Sequence, residues 1–198
     1  RRWRDLPIKL HPQELALYPH EQGLRLGLMH CMAVTAQWPW PWVQQAIRPF
    51  MARPLDAIQC SNSRSEHAWH MEIHSSAPLC AQDHGPWRDW HIRLGRLALQ
   101  ATKSGGMCLL GIHDGHGVRW LTVVGTEYLA ASCAVQALLL LDTGGSEPWA
   151  CAHNARVQLL TRPQAVCRHL TGQMFKAAPV HLIVVRPKST TWAMTPEP

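Results

Sequence analysis

The second half of the chain is organised as short apolar runs that are separated by turn residues. Asp114 and Gly115 follow the first run and Gly117 precedes the second, which indicates a tight turn between the two. Uninterrupted apolar runs of this length, bounded by glycine and rich in β-branched residues, are typical of strands that are buried on both faces. The pattern predicts five strands, at 107–113, 118–125, 135–142, 154–161 and 180–186.

The first half of the chain shows the spacing of helices instead. Trp90, Leu94 and Ala98 recur at four-residue intervals, which places them on one face of an amphipathic helix from Trp87 to Lys103. The glycine pair at 105–106 suits the end of that helix. Shorter helices are predicted at 28–37, at 43–51, from Ser65 onward and at 163–170. Helices followed by mostly antiparallel strands make an α+β fold.

Composition favours a single folded domain. The chain has 198 residues, of which 46% are hydrophobic and 16% are charged, so it is long and apolar enough to bury a core. The predicted parts are an irregular N-terminal arm at 1–20, a helical part at 28–103, a sheet part at 104–186 and a tail at 187–198.

Cysteine usage and the lack of long apolar runs indicate a cytoplasmic setting. The chain has seven cysteines, an odd number whose spacing shows no pairing pattern, which favours reduced thiols. No apolar run reaches the roughly 18 residues of a membrane-spanning helix. No apolar signal-peptide core lies near the start of the sequence. We therefore expect a cytoplasmic protein without a membrane span.

The chain is basic, with a formal net charge of +6 and a pI near 9.2. Three arginines surround Trp3 at the beginning of the sequence. Contact of this basic segment with nucleic acid or with an acidic partner is one interpretation. A solvated terminus is the favoured one.

Two of the predicted strands carry a charged residue among apolar neighbours. Arg119 lies in the second run, and Asp142 ends the third run before a Thr-Gly-Gly turn. Asp before Gly is ordinary turn chemistry, because Asp accepts backbone hydrogen bonds and Gly adopts positive φ. The same residue also places a carboxylate at the tip of a buried strand. Asn154, at the start of the fourth strand, is a second polar candidate for orienting a catalytic base. The alternative is a loop residue that simply begins that strand.

This arrangement resembles that of papain-like cysteine peptidases, in particular the bacterial peptidases of the bacteriocin-leader-processing type. In that group a strand carries a His-Trp pair followed by a Val-Val segment and a Gly, and a following strand ends in Asp. The matching residues here are Trp120, Val123, Val124, Gly125 and the run from Leu138 to Asp142. The resemblance implies a papain-like fold, but Arg119 stands where it implies the catalytic His.

The resemblance also implies a Cys at the N-terminus of a helix that packs on the sheet, where the helix dipole and an imidazolium lower the thiol pKa. Cys31 is the best-placed candidate, because Gly23 and Gly27 interrupt the chain before a short apolar helix. Gln22 is the candidate for stabilising the oxyanion. The alternative is that Cys31 acts as a small buried hydrophobic residue.

A base is needed beside that thiol, and Arg119 cannot serve because it stays protonated. Arg119 could instead hold a thiolate by its charge, or form a purely structural ion pair with Asp142. His116, three residues earlier, is the candidate base if a bulge shifts the strand, and Asp142 would orient it. Arg119 would then contact the substrate, together with Trp120. The alternative is a degenerate domain in which the fold persists without hydrolytic chemistry.

Tryptophan is unusually common in this chain, with ten residues against two Tyr and two Phe. Trp38 and Trp40 alternate with prolines, which imposes an extended segment that presents indole rings. Such a segment suits one wall of a peptide-binding groove. A lid over the core is the alternative.

Histidine is also enriched, with thirteen residues. His67, His70 and His74 would share one face of a helix and could hold a zinc ion. A solvated helix face is the favoured interpretation. The peptidase hypothesis requires no cofactor.

We therefore predict a cysteine peptidase-like protein that hydrolyses a peptide bond, or a degenerate peptidase domain that binds a peptide or a protein. The alternatives of a different class are a zinc-stabilised binding module and a basic nucleic-acid-associated accessory protein.

Overall fold

A computed structural model describes residues 19–36, 69–76, 84–113, 118–142, 153–159, 165–169 and 174–187. The elements are helices α1 (Pro19–Ala36) and α2 (His84–Lys103), and strands β1 (Trp69–Ser75), β2 (Met107–His113), β3 (Val118–Leu129), β4 (Ala134–Leu141), β5 (Ala155–Gln158), β6 (Ala165–His169) and β7 (Met174–Pro187).

The seven strands form one sheet in the order β1-β7-β2-β3-β4-β5-β6. Every neighbouring pair is antiparallel. The first part of β7 also pairs with β6, so strands β2 to β7 close into a ring. Strand β1 lies outside this ring, paired with the second part of β7. The predicted α+β class with a mostly antiparallel sheet is confirmed.

The two helices pack on opposite faces of the sheet. Because side chains alternate along a strand, neighbouring residues enter different clusters. On β2, Leu109 packs beneath α1 and Leu110 packs beneath α2; on β7, Ile183 and Leu182 divide in the same way. Strands buried on both faces explain the uninterrupted apolar runs of the sequence.

Helix α1 approaches the sheet closely at a glycine. Leu24, Leu28 and Met32 recur every four residues and are buried against the sheet. A Cβ atom at Gly27 would overlap the side chain of Leu109, so a larger residue would push the helix away from β2. The glycine that the sequence suggested as a break before the helix instead lies within it.

Helix α2 ends where its sequence predicts. Gly105 adopts a left-handed φ of 76°, and Gly106 donates its N–H to the carbonyl of Ala101 at 2.9 Å. This is the Schellman geometry that glycine permits at a helix C-terminus. A Cβ atom at Gly106 would lie 2.9 Å from the carbonyl oxygen of Val185, so the next position also requires glycine.

The predicted strands at 107–113, 118–125, 135–142, 154–161 and 180–186 are confirmed, with changes in their bounds. Two predicted helices are wrong: residues from 69 onward form β1, and residues 165–169 form β6. Strand β1 also falls inside the predicted helical part, 28–103. The short runs were ambiguous because only pairing with β7 decides between strand and helix.

The first predicted helix begins earlier than expected, at Pro19, so the arm at 1–20 overlaps α1 at its end. The predicted helix at 43–51 and the tail beyond 187 lie outside the described residues. Neither of the two described helices is both long and apolar enough to cross a membrane.

Candidate functional site

The charged residues at the ends of β3 and β4 form an ion pair. A guanidinium N–H of Arg119 donates to a carboxylate oxygen of Asp142. The Asp142 side chain is 2% exposed and the Arg119 side chain is 30% exposed. The carboxylate is therefore removed from water, whereas part of its guanidinium partner reaches solvent.

Asn154 holds the backbone on the other side of this carboxylate. Its amide oxygen accepts the N–H of Asp142 at 2.6 Å, and its amide nitrogen donates to the carbonyl of Asp142 at 2.8 Å. The Asn154 side chain thus makes the two backbone hydrogen bonds that a neighbouring strand would otherwise make, just beyond the end of β4. Asn154 orients Asp142, not a catalytic base, because its amide is engaged with the backbone.

The ion pair and Cys31 lie on opposite faces of the sheet. Leu121 and Leu140, each two residues from a member of the pair, belong to the cluster beneath α2. Side chains two residues apart on a strand share a face, so Arg119 and Asp142 also face α2. Cys31 belongs to the cluster beneath α1. The described residues therefore do not bring Asp142 beside Cys31, and the predicted catalytic role of Asp142 with His116 stays a prediction.

Cys31 does not begin a helix either. It lies in the second half of α1 and is fully buried. Burial raises the pKa of its thiol well above the ordinary value, and so does the proximity of Cys108. This environment is the opposite of one that activates a nucleophilic thiolate, because a low-dielectric core disfavours the charged form. Cys31 fits the alternative of a small buried hydrophobic residue.

The helix that faces Arg119 and Asp142 is α2. The Trp90 indole N–H donates to the Pro179 carbonyl at 2.6 Å. Pro179 lies opposite Ile112, which in turn lies opposite Arg119, so this hydrogen bond attaches the second turn of α2 to the sheet at the level of the arginine. Helix α2 begins at His84 and contains no cysteine. Among the helices that the structure describes, the one on the ion-pair face carries no thiol.

The other predicted site residues do not meet Arg119. Trp120 points to the α1 face, where it is 6% exposed, so it does not line a surface together with the preceding arginine. Gln22 lies in α1, and its side chain is outside the described set. His116, Trp38 and Trp40 also lie outside the described residues, so their predicted roles remain predictions.

The histidine cluster forms on a strand and not on a helix. His70 and His74 share a face of β1 with Glu72 between them, and each Nε2 atom contacts a different oxygen of that carboxylate, at 2.9 and 3.2 Å. A strand places alternate residues on one face, which gives i, i+2 and i+4 neighbours instead of the predicted helical set. His67 lies outside the described residues. No group of three His, Cys, Asp or Glu side chains in the described part of the chain has metal-binding geometry.

Glu72 gains its partners only in the folded state. Burial raises the pKa of Glu72, but hydrogen bonds from His70 and His74 and the charge of Arg186 outweigh it, so the pKa lies below its ordinary value of 4.5. A carboxyl group with a depressed folded-state pKa stabilises the fold above its unfolded-state pKa. This contribution is lost as the pH falls through the folded-state value.

We expect Glu72→Gln to make the protein slightly less stable near neutral pH and to reduce its sensitivity to acid. Urea unfolding at about pH 6 and about pH 3 would measure this, and the difference between the two proteins should shrink at the lower pH. The exposed Asp89, changed to Asn, is the control. A constant difference at both pH values would contradict the role of the Glu72 carboxylate.

Two comparisons with known proteins gave no match. No protein-family model matches the sequence. No curated protein matches it at a significant level.

Proposed function

We propose that this chain is a non-catalytic relative of papain-like cysteine peptidases that binds a peptide or protein segment. The observation that carries the proposal is the ion pair between Arg119 and Asp142. The resemblance places a catalytic His–Asp pair at these two positions, on adjacent strands. Here a guanidinium occupies the first position and contacts the expected carboxylate.

An ion pair of this kind keeps the two side chains in the positions expected for a catalytic His–Asp pair, but it cannot catalyse proton transfer. Arginine keeps its proton at any relevant pH and therefore cannot remove one from a thiol. Its attachment to Asp142 joins β3 to the end of β4, which is where an orienting carboxylate would hold an imidazole. The buried Cys31 on the opposite face supports the same interpretation.

A surface for a partner lies at the other end of the same strands. Tyr128 and Leu129, at the end of β3, are large hydrophobic residues that are 46% and 50% exposed. The ammonium group of Lys103 lies 5.6 Å from the centre of the Tyr128 ring. Together with the net charge of +6, this favours a partner segment that offers an apolar side chain next to acidic residues.

Thiol labelling tests the non-catalytic half of the proposal. We expect iodoacetamide to modify the exposed Cys133 readily and to leave Cys31 and Cys108 unmodified in the native protein, because burial raises the pKa of both buried thiols, that of Cys108 to about 12. Site-resolved mass spectrometry between about pH 5 and about pH 9 measures the rates. Rapid modification of Cys31 below neutral pH would overturn the proposal.

Peptide selection tests the binding half. A displayed random peptide library should yield acidic peptides with an apolar residue, and Leu129→Ser should weaken their binding about tenfold or more. Ile92→Ser is the matched control, because Ile92 is an exposed hydrophobic residue on α2. Equal losses of peptide affinity in the two variants, or failure to select any peptide, would argue against peptide binding at Tyr128 and Leu129.

A further inference from the structure

Four residues form a row across the face of the sheet that α1 covers. Their register pairs run from β1 to β7, β2 and β3: Ser75 opposite His181, His181 opposite Gly111, and Gly111 opposite Trp120. Residues opposite one another in an antiparallel sheet project to the same side. The row therefore brings a hydroxyl, an imidazole and an indole together.

Gly111 leaves the space in which the two rings meet. The rings of Trp120 and His181 stack with centroids 5.8 Å apart and planes inclined by 16°. A Cβ atom at Gly111 would lie 3.0 Å from Cζ3 of Trp120 and 3.1 Å from Cβ of His181. The imidazole is thus held against a buried indole in a fixed orientation.

The held imidazole contacts a hydroxyl at the edge of this row. Nδ1 of His181 and Oγ of Ser75 are 2.8 Å apart, within the range for direct proton transfer. Ser75 is exposed, whereas His181 is half-buried. Burial lowers the pKa of His181, so its ring is neutral and able to accept a proton near neutral pH.

We propose that Ser75 is a nucleophile that His181 activates, and that it accepts an acyl group from an activated ester. The Ser75 oxygen forms a bond to the ester carbonyl carbon while the bond from that carbon to the leaving oxygen breaks. The hydroxyl proton passes to Nδ1 of His181 and then to the leaving oxygen, so no oxidant or reductant is needed. Water then forms a bond to the acyl carbon while the bond from that carbon to Oγ of Ser75 breaks; the water proton passes to Nδ1 of His181 and then to Oγ.

This site is separate from the surface at Tyr128 and Leu129. It lies on β1 and β7, on the α1 face, and neither Arg119 nor Cys31 takes part in it. A peptide-binding domain without a reactive thiol and an acyl-accepting serine are compatible, so either proposal can fail without the other.

The test is acylation of the full chain with p-nitrophenyl acetate, followed by site-resolved mass spectrometry. We expect Ser75 to gain an acetyl group at least about tenfold faster than Ser132, which is exposed but has no imidazole partner, because general-base assistance contributes roughly 10²–10⁴-fold. This comparison within one protein does not depend on any variant. Equal rates at the two serines would overturn the proposal.

Two variants separate proton transfer from structure. His181→Phe keeps a ring over Gly111 and against Trp120 but cannot accept a proton, so acetylation of Ser75 should fall to the rate of Ser132 while circular dichroism stays unchanged. His181→Gln provides the same test if the phenylalanine variant does not fold. Undiminished acetylation of Ser75 in a folded variant would show that His181 does not activate it.

Discussion

Arg119→Met is expected to destabilise the protein by about 3 kcal/mol, because it removes the guanidinium partner of a buried carboxylate, that of Asp142. Breaking a buried pair by removing one member costs several kcal/mol, even where the intact pair adds little to stability. The Asp142 side chain is almost completely removed from solvent, so water cannot replace the guanidinium. Urea unfolding, with the slope checked for a change in cooperativity, measures the loss.

The double variant Arg119→Met with Asp142→Leu should recover most of this stability, since replacing both members with apolar side chains removes the buried charge. Arg156→Met is the matched control, because Arg156 pairs with Glu127 at the surface. Exposed pairs contribute about 1 kcal/mol or less. A double variant as unstable as Arg119→Met would show that the loss does not come from the buried charge of Asp142.

The second large effect is expected at the centre of the core. Leu110→Ala should destabilise the protein by about 3 kcal/mol, since the side chain is fully buried between β2 and α2 and its removal leaves a cavity. The unfolding midpoint in urea measures the change. Loss of cooperativity would indicate that α2 has separated from the sheet.

Leu129→Ala is the control for that experiment, because it makes the same chemical change at an exposed position. Surface substitutions of this kind usually change stability by less than about 0.5 kcal/mol. Similar midpoints for the two variants would contradict the packing of α2 on the sheet. The comparison of the two leucine variants thus distinguishes the effect of losing a buried core side chain from that of losing a side chain on the surface proposed to bind a partner.

Local patterns in the sequence were sufficient for five of the seven strands and for the end of α2. The runs from 107 to 141 are continuous because both of their faces are covered, and Gly105 and Gly106 end the helix for backbone reasons. Residues 69–75 could not be assigned in this way. The pattern of these seven residues, with His and Glu at alternate positions, fits a strand and a helix equally well. The hydrogen bonds to β7 decide for the strand.

The sequence by itself determined which side chains could carry chemistry: a carboxylate at the tip of a strand, an arginine within an apolar strand, and a cysteine in an apolar helix. Only the tertiary structure decided which of them meet. The face of the sheet on which a side chain lies, and the register of each strand, depend on pairing between strands that are distant in sequence. The residues on either side along the chain do not determine them. Pairing of β3 with β4 brings Arg119 to Asp142, the sheet itself separates both from Cys31, and the row across four strands joins Ser75 to His181.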